Sequence, residues 1–248
     1  VRPTGGAAHP PRYRVRVLLA ELEVFHSRPI APTRRVALGT TVLPGSPAPG
    51  FGGILLGGIV AAFAPEVDRD LLGELDHLVD QVESGHRIPQ PRLRHRFQDD
   101  RVGLTRYRHR LFGKGEELVF DLDRRGTPAP NVLAAVYAAG RLEVEPRRAV
   151  MTAIRRGLRW RGDVGPELVA HLSDDRSHAN WAALGGRDPV LWALEVLDLT
   201  AGDHRPGVVQ RRFRELLRAA HPDHGGATEV AAQRINDLTE ARRILLRS

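Results

Sequence analysis

The sequence predicts an α+β domain followed by a small all-α domain built as an antiparallel helical hairpin plus a short first helix. Three observations predict this. Residues 13–25 and 35–41 mix β-branched and apolar residues in near alternation, the period of a half-buried strand. Residues 51–83 and 131–172 carry apolar residues at helical spacing instead. Beyond position 188 the chain contains three amphipathic segments and no strand pattern, so strands and helices are mixed first and helices stand alone last.

The chain has 248 residues, of which 42% are hydrophobic, enough for one large domain or a medium domain plus a small one. There is no cysteine, which excludes disulfides and thiolate chemistry and fits a reducing compartment. Arg2 is followed by no apolar stretch of the kind a secretory signal needs, and the longest apolar run, residues 51–64, is too short to span a bilayer. A cytoplasmic protein without a membrane partner is expected. The formal net charge is +7 and Lys114 is the single lysine. Residues 86–114 hold nine cations against Asp99 and Asp100, so this segment alone carries the excess.

The expected organisation is a flexible tail over 1–12, an α+β domain over 13–172, a linker over 173–187 and a helical domain over 188–248. Within the second part, residues 51–64 predict a buried helix that packs closely through Gly53 and Gly57. Residues 66–83 place Val67, Leu71, Leu75, Leu78 and Val82 on one face of an amphipathic helix. Residues 105–123 predict a hairpin turning at Lys114-Gly115. That register sets Leu111 against Leu118, Tyr107 against Leu122, Arg108 against Asp121 and Arg106 against Asp123, and so neutralises part of the basic segment. Further helices are expected over 131–140, 147–160 and 166–172.

Asp188-Pro189 opens the helical domain, because aspartate caps free amides and proline suits the first helical position. Helices are expected over 189–199, 206–220 and 228–246. In the second, Val209, Phe213, Leu216, Leu217 and Ala220 gather on one side and Arg211, Arg214 and Arg218 on the other, with Arg212 on the flank. Ala231, Ile235, Leu238, Ala241 and Leu245 form a matching stripe on the third helix, and Val190, Leu194 and Leu197 on the first close the core. Between the second and third helices stands His221-Pro222-Asp223-His224-Gly225-Gly226. Proline disfavours helical geometry in the residue before it, and the paired glycines let the chain reverse.

The stretch from Pro189 to Leu246 resembles a J domain of the DnaJ family. The motifs are the tripeptide His221-Pro222-Asp223, the run Phe213-Arg214-Glu215-Leu216 where the family has aromatic-Arg-x-Leu, and the pair Ile235-Asn236 on the third helix. Leu194 to Leu199 is similar to the first-helix pattern aromatic-x-x-Leu-Gly-Val, with Leu194 in the aromatic and Asp198 in the glycine position. Ala220 also stands where the family has a larger residue. Zinc-finger cysteines and a Gly/Phe-rich segment are absent, so the match is to the non-classical members and not to the full class I or class II architectures.

The resemblance implies a co-chaperone that stimulates the ATPase of a DnaK-type chaperone and performs no chemistry itself. His221, Pro222 and Asp223 would contact the chaperone, with Arg211, Arg212, Arg214 and Arg218 meeting an acidic surface and setting orientation and association rate. Asn236 would support the loop. No cofactor is implied, and the α+β domain would serve as adaptor for an unidentified client or partner.

Two alternatives come from the residues alone. One is nucleic-acid binding through Arg92, Arg94, Arg96, Arg106, Arg108 and Arg110, since clustered arginines give salt-dependent phosphate affinity. The other is an enzyme in the α+β domain, for which His26, His77, His86, His95, His109 and His171 are available. None has metal-ligand spacing or a nucleophile elbow beside it. The expectation is therefore no enzyme, no metal site and histidines scattered over the surface.

Overall fold

The computed structural model describes residues 16–31, 34–45, 48–114, 117–173, 189–200, 202, 205–219 and 228–246. Five strands form one sheet: β1 (Arg16–His26), β2 (Arg35–Val42), β3 (Arg96–Phe97), β4 (Thr105–Lys114) and β5 (Glu117–Leu122). Their order is β3-β2-β1-β4-β5, antiparallel except for the β2–β3 pair. Eight α-helices accompany it among the described residues: α1 (Gly50–Phe63), α2 (Leu72–Glu83), α3 (Pro128–Gly140), α4 (Val144–Arg159), α5 (Pro166–Leu172), α6 (Pro189–Val196), α7 (Pro206–Ala219) and α8 (Thr228–Leu245). The fold is mixed α+β.

Helix α1 is apolar all round, and it is enclosed all round. Every residue from Gly52 to Phe63 is buried, and the helix touches β1, β4 and β5 as well as α3, α4 and α5. Its glycines permit that crowding. A Cβ on Gly157 of α4 would stand 2.4 Å from the Gly57 carbonyl oxygen, so α1 and α4 meet backbone against backbone. A methyl group in that space would drive the helices apart. No helix among the described residues is long and apolar enough to cross a membrane.

The expected single helix over 66–83 is interrupted. A 3-10 turn (Ala64–Glu66) follows α1, Val67 and Asp68 take extended ψ angles, and a second turn (Arg69–Leu71) leads into α2. Extended backbone at Val67 and Asp68 cannot continue a helical ladder. The apolar stripe survives the interruption, because Val67, Leu75, Leu78 and Val82 are all buried.

The hairpin register also differs from expectation. Lys114 pairs with Glu117, Leu111 with Phe120, Arg110 with Asp121 and His109 with Leu122. The connection therefore lies at 115–116, which is outside the described residues. Lys114 remains in the strand opposite a carboxylate, and β4 gains its full ten residues. Each partner moves by two positions, so every side chain stays on its expected face. Asp123 instead binds its neighbour Arg125.

Helices α6 and α7 each pack on α8, and α8 meets β1. Ala193, Leu194, Leu197, Val209, Phe213, Leu238, Ala241, Ile244 and Leu245 are buried, in one contiguous apolar cluster with the sheet. Leu216, Leu217 and Ile235 are half-buried, while Ala220 and the side chain of Ala231 lie outside the described residues. The tail over 1–12 and residues 174–187 of the expected linker also lie outside them.

Candidate functional site

The candidate contact surface is built on α7. Arg211, Arg214 and Arg218 are exposed, and positions at these spacings fall within about 60° of one another around a helix. None makes an ion pair with a described residue. Arg214 and Arg218 donate through Nε to the carbonyls of Gln210 and Arg214, each at 3.3 Å, which lays both guanidinium groups along the helix surface. Val209 and Phe213 hold the opposite face in the core, where Arg242 of α8 stacks 4.9 Å from the Phe213 ring centroid.

Arg212 behaves differently from its three neighbours. Its Nε donates to the Leu197 carbonyl at 3.2 Å, and its other nitrogens bind the carboxylates of Glu215 and Asp198. These bonds, with Glu215 first and Asp198 second, raise its pKa further. Arg212 thus ties α7 to the end of α6. Arg234 of α8 reaches the same end, donating to the Val196 carbonyl at 3.4 Å. Cations are favoured beside the free carbonyls of a helix C-terminus.

That helix end explains Asp198. Its φ is +51°, in the left-handed region that glycine enters most easily. The Leu199 N–H bonds the Leu194 carbonyl at 2.8 Å and the Asp198 N–H bonds the Glu195 carbonyl at 3.0 Å, the paired bonds of a Schellman cap. Asp198 therefore occupies, in the conformation glycine prefers, the position where the family pattern carries glycine. Its carboxylate adds a bond to Arg212 that a glycine could not make.

His221, Pro222 and Asp223 lie outside the described residues, between the end of α7 and the start of α8. Asn236 is on α8, and its side chain is also outside them. The six arginines of the alternative nucleic-acid reading divide into two groups. Arg92 opens a tight turn closed by bonds between Arg92 and His95, with Leu93 at φ +44° and Arg94 at φ +59° at its centre. Both are bound to the region of α2, Arg92 by Gln81 and Glu74, Arg94 by Asp70 and Asp68. Arg106, Arg108 and Arg110 point to the sheet face away from α1 and α3, and Arg96 lies beside Arg35 at the far edge. Glu23 binds Arg108 at 3.0 Å and Arg106 at 3.5 Å, while Asp121 binds Arg110 at 2.6 Å.

Glu23 is a buried carboxylate on β1 that the alternating pattern of that strand does not single out. Burial pushes its pKa up, but the Thr40 N–H and Arg108 outweigh that and hold it below the ordinary value of 4.5. The histidines also depart from expectation. His77, His86 and His171 are exposed, whereas His26, His95 and His109 are 1%, 5% and 0% exposed. His26 stacks on Tyr107 with ring centroids 4.1 Å apart, and His109 Nε2 donates to Asn131 Oδ1 at 3.0 Å. Asn131 gives its own amide to the Thr127 carbonyl, which fixes the tautomer of His109. Burial lowers the pKa of all three below 6.5. An alternating strand places every second residue inside whatever its type, and His26 and His109 occupy such positions. Among the described residues no group of three His, Cys, Asp or Glu side chains is placed to hold a metal ion.

No protein-family model matches the chain, and neither a curated protein nor a solved structure matches it.

Proposed function

We propose that the chain is a co-chaperone whose helical part, residues 188–248, acts as a J domain on a DnaK-type chaperone, with the α+β part as adaptor for a client or partner. The observation that carries this reading is the stripe of Arg211, Arg214 and Arg218, exposed on α7 and leading toward the His221-Pro222-Asp223 tripeptide. A run of exposed cations on one helix face suits an acidic partner surface, because such charges steer association and set orientation. The left-handed cap at Asp198 supports the same reading, since it reproduces the backbone need behind the family's glycine. Asp223 would accept charge-assisted hydrogen bonds from an arginine of the chaperone. Contact there would favour the chaperone conformation that hydrolyses ATP. Arg212 instead ties α7 to the end of α6 at the surface of the module.

The test measures ATP hydrolysis by a DnaK-type chaperone with and without the purified chain. The wild type is expected to stimulate turnover, and His221→Gln to abolish the stimulation while keeping the fold seen by circular dichroism. Full stimulation by His221→Gln removes the proposed role of the tripeptide. A parallel pull-down with His221→Gln is expected to lose the chaperone and keep any partner of the α+β part.

A further inference from the structure

The sheet has two unlike faces. One is covered by α1 and α3 and is buried, apolar apart from His26 and His109. On the other, β4 alternates Arg106, Arg108 and Arg110 with the inward Tyr107, His109 and Leu111, so three arginine positions recur about 6.8 Å apart along the strand backbone. Arg16 of β1 lies over the Phe112 ring at 4.3 Å from its centroid, and Arg110 covers the same ring at 5.3 Å. Arg101, from the loop before β4, lies 5.3 Å from the centroid of Phe25, which is opposite Arg106 in the register. Arg35 and Arg96 continue the face at the β2–β3 edge. Neither Phe25 nor Phe112 joins the apolar core.

The carboxylates on this face are Glu21, Glu23 and Asp121, while Lys114 and Glu117 cancel at the hairpin end. Seven arginines therefore stand against three carboxylates. Glu23 is 8% exposed under Arg106 and Arg108, whose side chains remain 58% and 38% exposed. It holds those guanidinium groups in place without covering them.

We infer that this face binds single-stranded nucleic acid. Regularly spaced arginines match a repeating phosphate backbone, which arginine engages through paired hydrogen bonds. Guanidinium groups held over the Phe25 and Phe112 rings offer cationic contacts to the faces of unpaired bases, a mode that polyglutamate cannot use. Charge complementarity thus selects a polyanion, and the arginine–phenylalanine pairs favour one with bases. The inference is independent of the reading of the helical module.

The experiment titrates the full chain into fluorescein-labelled single-stranded RNA and DNA of mixed sequence and follows anisotropy at several salt concentrations. Binding is expected at low salt and to weaken as salt rises. Arg106→Ala/Arg108→Ala/Arg110→Ala should raise Kd at least about tenfold and flatten the plot of log Kd against log salt by about three units. Arg148→Ala/Arg159→Ala, on the exposed side of α4, should leave Kd within about twofold. Should the triple variant fail to fold, Glu23→Gln serves instead, and releasing one negative charge beneath Arg106 and Arg108 should tighten binding. The RNA and DNA arms reveal which strand is preferred. Absence of binding at low salt overturns the inference, as does loss of affinity in the α4 variant alone. Competition by polyglutamate as effective as that by unlabelled oligonucleotide overturns it in favour of an acidic peptide.

Discussion

The sheet-bearing region and the helical module bury different things. Between residues 16 and 173 the interior holds Glu23, His26, Ser27, His95, His109, Asn131 and Ser173. In the described parts of α6, α7 and α8 the buried side chains are apolar throughout, and the charged groups stay half-buried or exposed. The first region is therefore sensitive to proton uptake and to the loss of single hydrogen-bond partners. The second tolerates changes of surface charge, as the proposed docking to a chaperone requires.

Acid should separate the two most strongly. The folded pKa values of His26, His95 and His109 lie below 6.5, so below pH 6.5 the unfolded chain binds more protons than the folded one and stability falls as pH falls. Each excluded proton costs up to about 1.4 kcal/mol per pH unit. Urea unfolding at pH 7.5 and 5.5 should show the loss, and replacing His109 with glutamine should reduce it. An unchanged midpoint would contradict neutral histidines in the sheet region.

Gly157→Ala should cost about 3 kcal/mol, because the added methyl group meets the Gly57 backbone and not a movable side chain. Its midpoint in urea is the measure. Glu23→Ala should cost about 2 kcal/mol by stranding the Thr40 N–H and two arginines. Loss of that size in chemical denaturation at neutral pH distinguishes a structural carboxylate from a decorative one.

Within the module the effects shrink. Arg212→Ala should lower Tm by about 2 °C, because it removes bonds that join α6 to α7. Arg214→Ala and Arg218→Ala should each change stability by less than about 0.5 kcal/mol while reducing chaperone stimulation several-fold. A thermal melt paired with the ATPase assay reads both. Equal losses of stability at Arg212 and Arg214 would erase the distinction drawn between them.

Periodicity made the elements legible. The limits of α1, α5 and α7 fall within one residue of expectation, because apolar spacing and the prolines that open α5 and α7 are local signals. The break at Val67 and Asp68 was not legible, since an extended pair can sit inside an unbroken apolar stripe. The hairpin register was legible in face but not in count, because moving the connection from 114–115 to 115–116 shifts each partner by two and leaves alternation unchanged. For the candidate site, the arginine stripe follows from helical phase alone. The separate role of Arg212 does not, because it depends on Asp198, fourteen positions earlier, turning left-handed at the end of α6. Pairing of Arg106 and Arg108 with Glu23 was hidden for a similar reason. It joins β4 to a strand more than eighty residues upstream.

The Arg212 bridge has a directional consequence. A helix held only by a smooth apolar seam can roll about its long axis, but one tied at its flank to the Leu197 carbonyl and the Asp198 carboxylate resists that motion. Arg211, Arg214 and Arg218 thus share one heading before any encounter, so the proposed docking would meet an array already aimed and would lose less rotational freedom.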